Sequence, residues 1–394
     1  MKVRPALTTV CTVLLLASAR QAASSTGSPF YGDAPDDHHP WAVHDWNRPQ
    51  PPRVEPGAPQ EAKPPADALV LFDGTEACLE KWQPDDQKKG KMWVIKDGAF
   101  ECVPGSGYAR TKEEFGDCKL HVEWAAPTPP KGDSQGRGNS GIFMEGLVEI
   151  QVLDDYNNPT YSDGFACSVY GVSPPLANPL RPPGEFQQID IEYRHPIYKE
   201  KECLDPGYVT VYCNGVLVQD KIQLEGSTGH MGRSKPRPFP EKGPLKLQDH
   251  GNPVRFRNIW LQPLPPRAGV DPGIHGPLTV EATMAKRKEI AAMVREDAAK
   301  LKDPANPVPE MLRLMESLVY EKEEKTAATV DHMTGQYVEG LKQLAADKVG
   351  AKKDEAKRIN GAFKYLAKFN IVPADYAPKV ELEKIIKDQG WDKK

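Results

Sequence analysis

Hydrophobic and polar residues change rhythm twice along this chain. From residue 24 to about 66 there is neither a helical nor a strand period, and Pro, Asp and Ala dominate, so an extended lead-in is expected. Between Asp67 and about Leu264 the rhythm becomes short alternating runs punctuated by Gly, Pro, Asn and Asp: ALVLF (68–72), MWVIKDGAFECV (92–103), CKLHVEWAA (118–126), SGIFME (140–145), LVEIQVL (147–153), ACSVYGV (166–172), QQIDIEYR (187–194), YVTVYCNGVLVQD (208–220), LKLQD (245–249) and VRFRNIWLQPL (254–264). Residues two apart in a strand share a face, so each run predicts a half-buried strand, and Asp97-Gly98 and Asn214-Gly215 mark hairpin turns. Ten or so such strands predict a mainly β sandwich.

Beyond Pro265 and Pro266 the apolar residues recur at three and four. Ile290, Met293, Val294 and Leu301 form one stripe; Met311, Leu312, Met315, Leu318 and Val319 the next; then come Val330, Met333, Tyr337 and Leu341, then Ile359, Phe363 and Leu366, and last Val380, Leu382, Ile385 and Ile386. A smaller α-helical bundle of four or five helices is expected over 270–394, with Pro304, Pro307 and Pro309 separating the first two. Its charges are nearly balanced, as on ordinary solvated helix surfaces.

One strand carries unusual chemistry. In LVEIQVL the residues Val148, Ile150 and Val152 point one way while Glu149 and Gln151 project together the other way, with Asp154 just beyond. On the concave face of a curved sandwich a carboxylate beside an amide offers the acceptors and donors that sugar hydroxyls need. The pattern is similar in form to the Glu-x-Asp-x-x-Glu strand of laminarinase-type glycoside hydrolases. An amide at 151 does not ionise, however, so a two-carboxylate retaining mechanism would need Glu149 and Asp154 as its pair.

A closer resemblance spans about half the chain. LFDG (71–74), LHVEW (120–124), NSGIF (139–143), EIQVLD (149–154), SVYG (168–171), GEFQQIDIEYR (184–194), VTVYCNGVLVQD (209–220) and GPLKLQDHGNPVRFRNIWLQPL (243–264) together resemble the 3-keto-disaccharide hydrolase family. Phe186 departs from it, where many members carry Trp. The resemblance implies a concanavalin-like jelly roll over 67–265 that cleaves 3-keto-glycosides. It also implies a chemistry that needs a single strong base: a ketone at C3 acidifies the hydrogen on C2, so a base removes that proton, the aglycone leaves C1 by β-elimination, and water then adds.

Residue type suggests the roles. Either Glu149 or His250 is the base and the other the acid; Gln151, Asn139 and Arg257 are candidates to hold the enolate oxygen or neighbouring hydroxyls. Asp154, Tyr170 and Asp249 complete the set of candidate substrate contacts. Against this stand plainer readings: a buried ion pair of Glu149 with an arginine such as Arg257, a capping turn for Gln248-Asp249-His250-Gly251, and outward solvated faces for His121 with Glu123 and for Asp190 with Glu192. The alternative function is a non-catalytic, lectin-like carbohydrate-binding module, because the fold does not dictate the activity.

Composition narrows the field. The 394 residues carry 51 Lys and Arg against 55 Asp and Glu, a formal charge of -4, so no basic footprint marks nucleic acid as a partner. MKVRPALTTVCTVLLLASARQAA (1–23) reads as a secretory signal peptide, too short for a stable membrane span, which predicts export to a periplasmic or extracellular space. Without Cys11 six cysteines remain; adjacency suggests Cys102 with Cys118 and Cys203 with Cys213, with buried free thiols as the alternative. DDHHPWAVHDWNRP (36–49) gathers Asp36, Asp37, His38, His39, His44 and Asp45, which have the donor chemistry for a divalent metal. The favoured reading is a segment docking through Trp41 and Trp46, since adjacent histidines on an extended chain point in opposite directions. No cofactor is otherwise implied.

Overall fold

The computed structural model describes residues 30–88 and 91–393; the expected signal peptide lies outside the described residues. Fifteen strands are found among them: β1 (Leu69–Phe72), β2 (Trp82–Pro84), β3 (Val94–Lys96), β4 (Ala99–Glu101), β5 (Ala109–Phe115), β6 (Cys118–Ala125), β7 (Ser140–Met144), β8 (Val148–Val152), β9 (Gln187–Arg194), β10 (Ile197–Lys199), β11 (Glu202–Asp205), β12 (Tyr208–Cys213), β13 (Val216–Gln223), β14 (Gly243–Leu247) and β15 (Arg255–Pro263). One sheet runs β13-β12-β9-β6-β15-β4-β3 with β1 also on β15, the other β2-β5-β14-β7-β8, and β10-β11 is a separate ribbon.

Strand parity builds the core between the two large sheets. Leu120, Val122 and Trp124 of β6, Ile189, Ile191 and Tyr193 of β9, and Phe256, Ile259 and Leu261 of β15 are buried with Ile142, Ile150 and Leu247 of the smaller sheet. Each such side chain contributes about 1.5–3 kcal/mol on leaving water. The alternation that predicted these strands is therefore the alternation that fills the sandwich.

ACSVYGV (166–172) is not a strand. Cys167 and Gly171 take positive φ, and the segment forms isolated bridges. It caps the free edge of β8 instead: Cys167 N donates to Gln151 O (2.8 Å), Gln151 N to Ser168 O (3.0 Å) and Tyr170 N to Glu149 O (3.1 Å). An edge strand's unpaired backbone groups are satisfied by this turn.

His121 and Glu123 do not face solvent as expected; both are buried on the outer face of the larger sheet. Trp260 stacks on His121 at 5.0 Å, and the lead-in crosses this face, with Asn258 Nδ2 donating to Ala62 O. Burial opposes the imidazolium, but His121 is nevertheless raised to about 8 by its hydrogen bond to Asp190 and by Glu123. Asp190 and Glu192 keep more of their side chains in water.

The six cysteines among the described residues are free thiols. Cys203 is exposed on β11 while Cys213 is buried on β12, where its partner is Cys167 in the core. Cys102 and Cys118 are each buried, beside Asp249 and Glu145 respectively. Nearness in sequence misled here: Cys102 and Cys118 lie near opposite ends of β15, beside Val254 and Pro263, and Cys203 belongs to the separate β10-β11 ribbon.

A short α1 (Glu76–Leu79) follows β1, and six helices follow the sandwich: α2 (Val280–Lys300), α3 (Val308–Tyr320), α4 (Glu324–Gln343), α5 (Ala346–Val349), α6 (Lys353–Lys368) and α7 (Ala377–Asp388). The five apolar stripes account for the five long ones; the single turn of α5 is too short to show a stripe. Thr279 caps α2 by accepting from Ala282 N, and Pro309 sits in the first turn of α3, where its missing N–H costs nothing. Ile290, Met311, Met315, Ile359, Phe363, Leu366 and Leu382 make a second core, and Phe30, Ala34 and Trp41 of the lead-in pack against it.

The hairpin turn at Asn214-Gly215 does more than reverse the chain. Asn214 takes φ 50° and Gly215 φ 77°. The Asn214 side chain, buried, accepts from Arg181 and from Gln188 N and donates to Pro179 O and Gln187 Oε1. Asn214→Ala is expected to lower unfolding free energy by about 3 kcal/mol in urea titration, with Asn214→Gly recovering only the part due to backbone strain.

Candidate active site

The outer face of the smaller sheet is built by register. Gln83 on β2, Arg110 on β5, Lys246 on β14, Phe143 on β7 and Glu149 on β8 lie in one row across it, and Gly141 pairs with Gln151 in the next. Glu149 and Gln151 thus share a face, as alternation predicted. A Cβ on Gly141 would stand 2.4 Å from Glu149 Oε1, so the glycine clears the space over which this carboxyl lies.

Glu149 is only 6% exposed. Its backbone is held by Thr228 Oγ1 and Tyr170 N, while its carboxyl has no hydrogen bond or counter-charge among the described residues. Burial alone lifts it to about 8. Asp155 reaches about 8 as well, also through burial, but its carboxyl accepts from Ala166 N and Asn178 Nδ2 and so acts as a clasp between loops.

Beside Glu149 two amides share one anchor. Gln151 Nε2 donates to Gln135 Oε1 (2.9 Å) and Asn139 Nδ2 to Gln135 O (2.8 Å). Their carbonyl oxygens, Gln151 Oε1 and Asn139 Oδ1, are buried with no partner among the described residues. Orphaned buried acceptors are costly, and hydroxyl donors would relieve them.

On the far side of Glu149 stands an aromatic cluster. Tyr170 OH bonds Tyr161 OH (2.8 Å) and His230 Nδ1 (3.1 Å), and Tyr31 OH bonds His230 Nε2 (2.9 Å). Burial raises the Tyr170 phenol, and the Glu149 carboxylate adds to the effect. His230 is lowered by burial, then by His44 and His250. A cavity of about 380 Å³ opens at Asp85, Asp86, Gly105, Gly107, Tyr108 and Asp249, within the usual range for small ligands of about 300–1,000 Å³. Glu149 and Gln151 do not line it. Tyr108 connects the two, its ring tilted against Phe143 at 5.6 Å, and Phe143 is the cross-strand neighbour of Glu149.

The remaining candidates separate. His250 sits exposed on the rim, its ring without a hydrogen bond among the described residues, close enough to His230 to act on it electrostatically. Asp249 accepts from Gly107 N and Gly251 N (2.9 Å each), the capping role, while lining the cavity. Asp154 does not reach the Glu149 face: β8 ends at Val152, alternation stops there, and Arg137 grips both Asp154 oxygens at 2.9 Å. Arg257 belongs to the outer face of the other sheet, across the core, where its Nε pairs with Glu123 (2.7 Å) and its guanidinium covers Phe186 at 3.8 Å. It neither pairs with Glu149 nor serves this site.

Among the described residues no group of three or more metal-ligating side chains is gathered. His38, His39 and His44 face Leu278 O, Asp36 with Glu225, and Asp163 respectively. Gln135, Tyr161, Asp163 and His230 were not legible as site residues, because each comes from a loop whose local pattern carries no periodic signal.

Two results are expected. The folded chain holds the Glu149 proton to about 8 whereas the unfolded chain releases it near 4.5, so between those values the folded state binds more protons and stability falls as pH rises. Glu149→Gln should therefore stabilise the protein by about 2–4 kcal/mol at pH 8.5 and by almost nothing at pH 4, read by calorimetry. Asp154→Ala should cost about 3–5 kcal/mol, since it strands the half-buried Arg137 guanidinium.

Comparison with known proteins sets the sandwich among carbohydrate-active proteins. Residues 67–262 match the family model described as a 3-keto-alpha-glucoside-1,2-lyase-like domain. A candidate glycosyl hydrolase from Parabacteroides distasonis is 42% identical over 55% of this chain and 93% of its own, with TM-score 0.49. A second from the same organism is 19% identical over 50% of this chain and 94% of its own, with TM-score 0.36. No curated protein matches. By its sandwich domain, the chain belongs to the 3-keto-disaccharide hydrolase family, a carbohydrate-active group.

Proposed function

We propose that this protein is an exported enzyme that cleaves 3-keto-glycosides, with Glu149 as the residue that moves the proton. The observation that carries the reading is a carboxyl buried without a counter-charge on the family's sheet and lifted to about 8. Once ionised, such a carboxylate is a far stronger base than one in water, and a carbon acid beside a ketone is the substrate that calls for it.

The step balances without an oxocarbenium ion. Glu149 takes the proton from C2, the C–H electrons form the C1–C2 double bond through the C3 enolate, and the C1–O bond breaks as the aglycone leaves and takes up a proton. Water then adds across the double bond, giving net hydrolysis. Gln151 Oε1 and Asn139 Oδ1 are acceptors, so they suit sugar hydroxyls and not the enolate oxygen. The phenol of Tyr170, kept protonated by burial, is a donor of the right kind for a developing oxyanion. His250 on the rim remains the alternative proton carrier.

With a 3-keto-disaccharide, kcat/KM is expected to rise up to about tenfold per pH unit and level off near pH 8, the limb of a base that must be ionised. A rate that instead falls above that pH would assign Glu149 to the leaving oxygen and give the base role to a histidine. Glu149→Gln should cost about 10²–10⁴ in rate while ligand still binds, measured by turnover and calorimetric titration; undiminished turnover would reject Glu149, and no turnover by the wild type on any 3-keto-glycoside would favour the lectin-like alternative.

A further inference from the structure

Residues 30–49, a strap that precedes the family domain, run between the sandwich and the helical bundle. Among their most buried members is His44, held at φ 59°. Its backbone N and Nδ1 both donate to Asp163, at 3.0 and 3.1 Å, and Nε2 accepts from Met231 N. That pairing fixes the ring through both of its nitrogens. Burial would raise Asp163, yet the His44 hydrogen bond and the Arg48 charge hold its carboxyl low. The His44 ring stacks on Tyr161 at 4.1 Å and lies 4.9 Å from Tyr170 and 5.4 Å from His230. Every member of the aromatic cluster beside Glu149 therefore rests on one side chain from outside the family domain.

The next residues of the strap are fixed by the bundle. Asp45 Oδ2 accepts from Tyr320 OH at 2.7 Å. Asn47 donates to Glu316 and to Tyr320 OH and accepts from Arg313, which also bonds Glu316 and Asp297. Trp41 packs edge-on against Tyr320, and Trp46 against Tyr161. The strap is thus gripped within three residues of His44 by α3, and its two tryptophans face the bundle and the cluster in turn.

We propose that the strap is a working wall of the sugar site, with His44 as a positioning residue for Tyr161, Tyr170 and His230 and with α3 as its anchor. This rests on the reading of the Glu149 face as the place where the keto-sugar binds. His44 itself is sealed from solvent and does not touch the sugar; it acts by fixing the rings that do. The bundle then has a role in the chemistry through Asp45 and Asn47, although it lies outside the family domain.

The test uses the full chain in three forms: wild type, His44→Ala, and the double variant Asn47→Ala with Tyr320→Phe, which keeps every member of the cluster. Histidine-labelled NMR follows the His230 titration, which burial first, and then His44 and His250, hold below the ordinary 6.5. Both variants are expected to move it back toward that value; an unchanged curve in the double variant would overturn the role of α3, and in both would overturn the proposal. In parallel, kcat/KM on a 3-keto-disaccharide should fall about thirtyfold or more in His44→Ala and about tenfold in the double variant, mostly through KM, since Glu149 is untouched. Values within about twofold of wild type, alongside a dead Glu149→Gln, would sink the proposal and spare the catalytic reading. A shifted His230 with no turnover by any form would sink the catalytic reading and keep the wall. Should His44→Ala unfold, His44→Asn retains an N–H toward Asp163 without the ring and gives the same two readouts.

Discussion

The Glu149 carboxyl is almost wholly buried with no positive charge beside it among the described residues, and much of the surrounding architecture follows from that constraint. A carboxylate in this position is expensive, so the group stays protonated to about 8 and costs the fold stability as pH rises. The expense is bearable because the strand that carries it is anchored from below: Val148, Ile150 and Val152 are fully buried in the sandwich core. Gly141 leaves the space, Phe143 and Tyr108 wall it, and the turn after residue 166 closes the edge of β8.

Around that carboxyl the polar atoms divide by what they lack. Asn214 with its four partners and Asp249 with its two glycine N–H groups are saturated, and they hold turns in place. Gln151 Oε1 and Asn139 Oδ1 are not, and both sit on the Glu149 side of the sheet. A structural polar group finds its partners within the chain; one intended for a ligand keeps an open valence. The opposite sheet differs in its carboxylate: Glu123 is bound by Arg257 and Asn258, although His121 Nε2 and Trp260 Nε1 there are also buried without a hydrogen-bond partner among the described residues.

Much of the sandwich was readable because alternation is local: the parity of LVEIQVL alone put Glu149 and Gln151 on one face and their neighbours in the core. The same logic placed five long helices from their stripes. It failed where the pattern is not periodic. ACSVYGV has the composition of a strand, yet positive φ at Cys167 and Gly171 makes it a turn. Strand β5, ARTKEEF, is mostly polar and gave no signal, although it is paired on both edges. Arg257 was grouped with Glu149 on residue chemistry, when its strand lies in the other sheet.

The amino-acid order by itself determined the class of fold, the family and the face on which Glu149 and Gln151 stand, because strand parity and motif order are properties of neighbouring residues. Only the tertiary structure decided that Glu149 has no counter-charge, that Asp154 is spent on Arg137, and that His44, Asp163, Tyr161, Tyr170 and His230 meet. Those facts depend on contacts between residues as far apart as 44 and 230. Desolvation and pairing are sums over everything that surrounds a group, and no local stretch of sequence contains that sum.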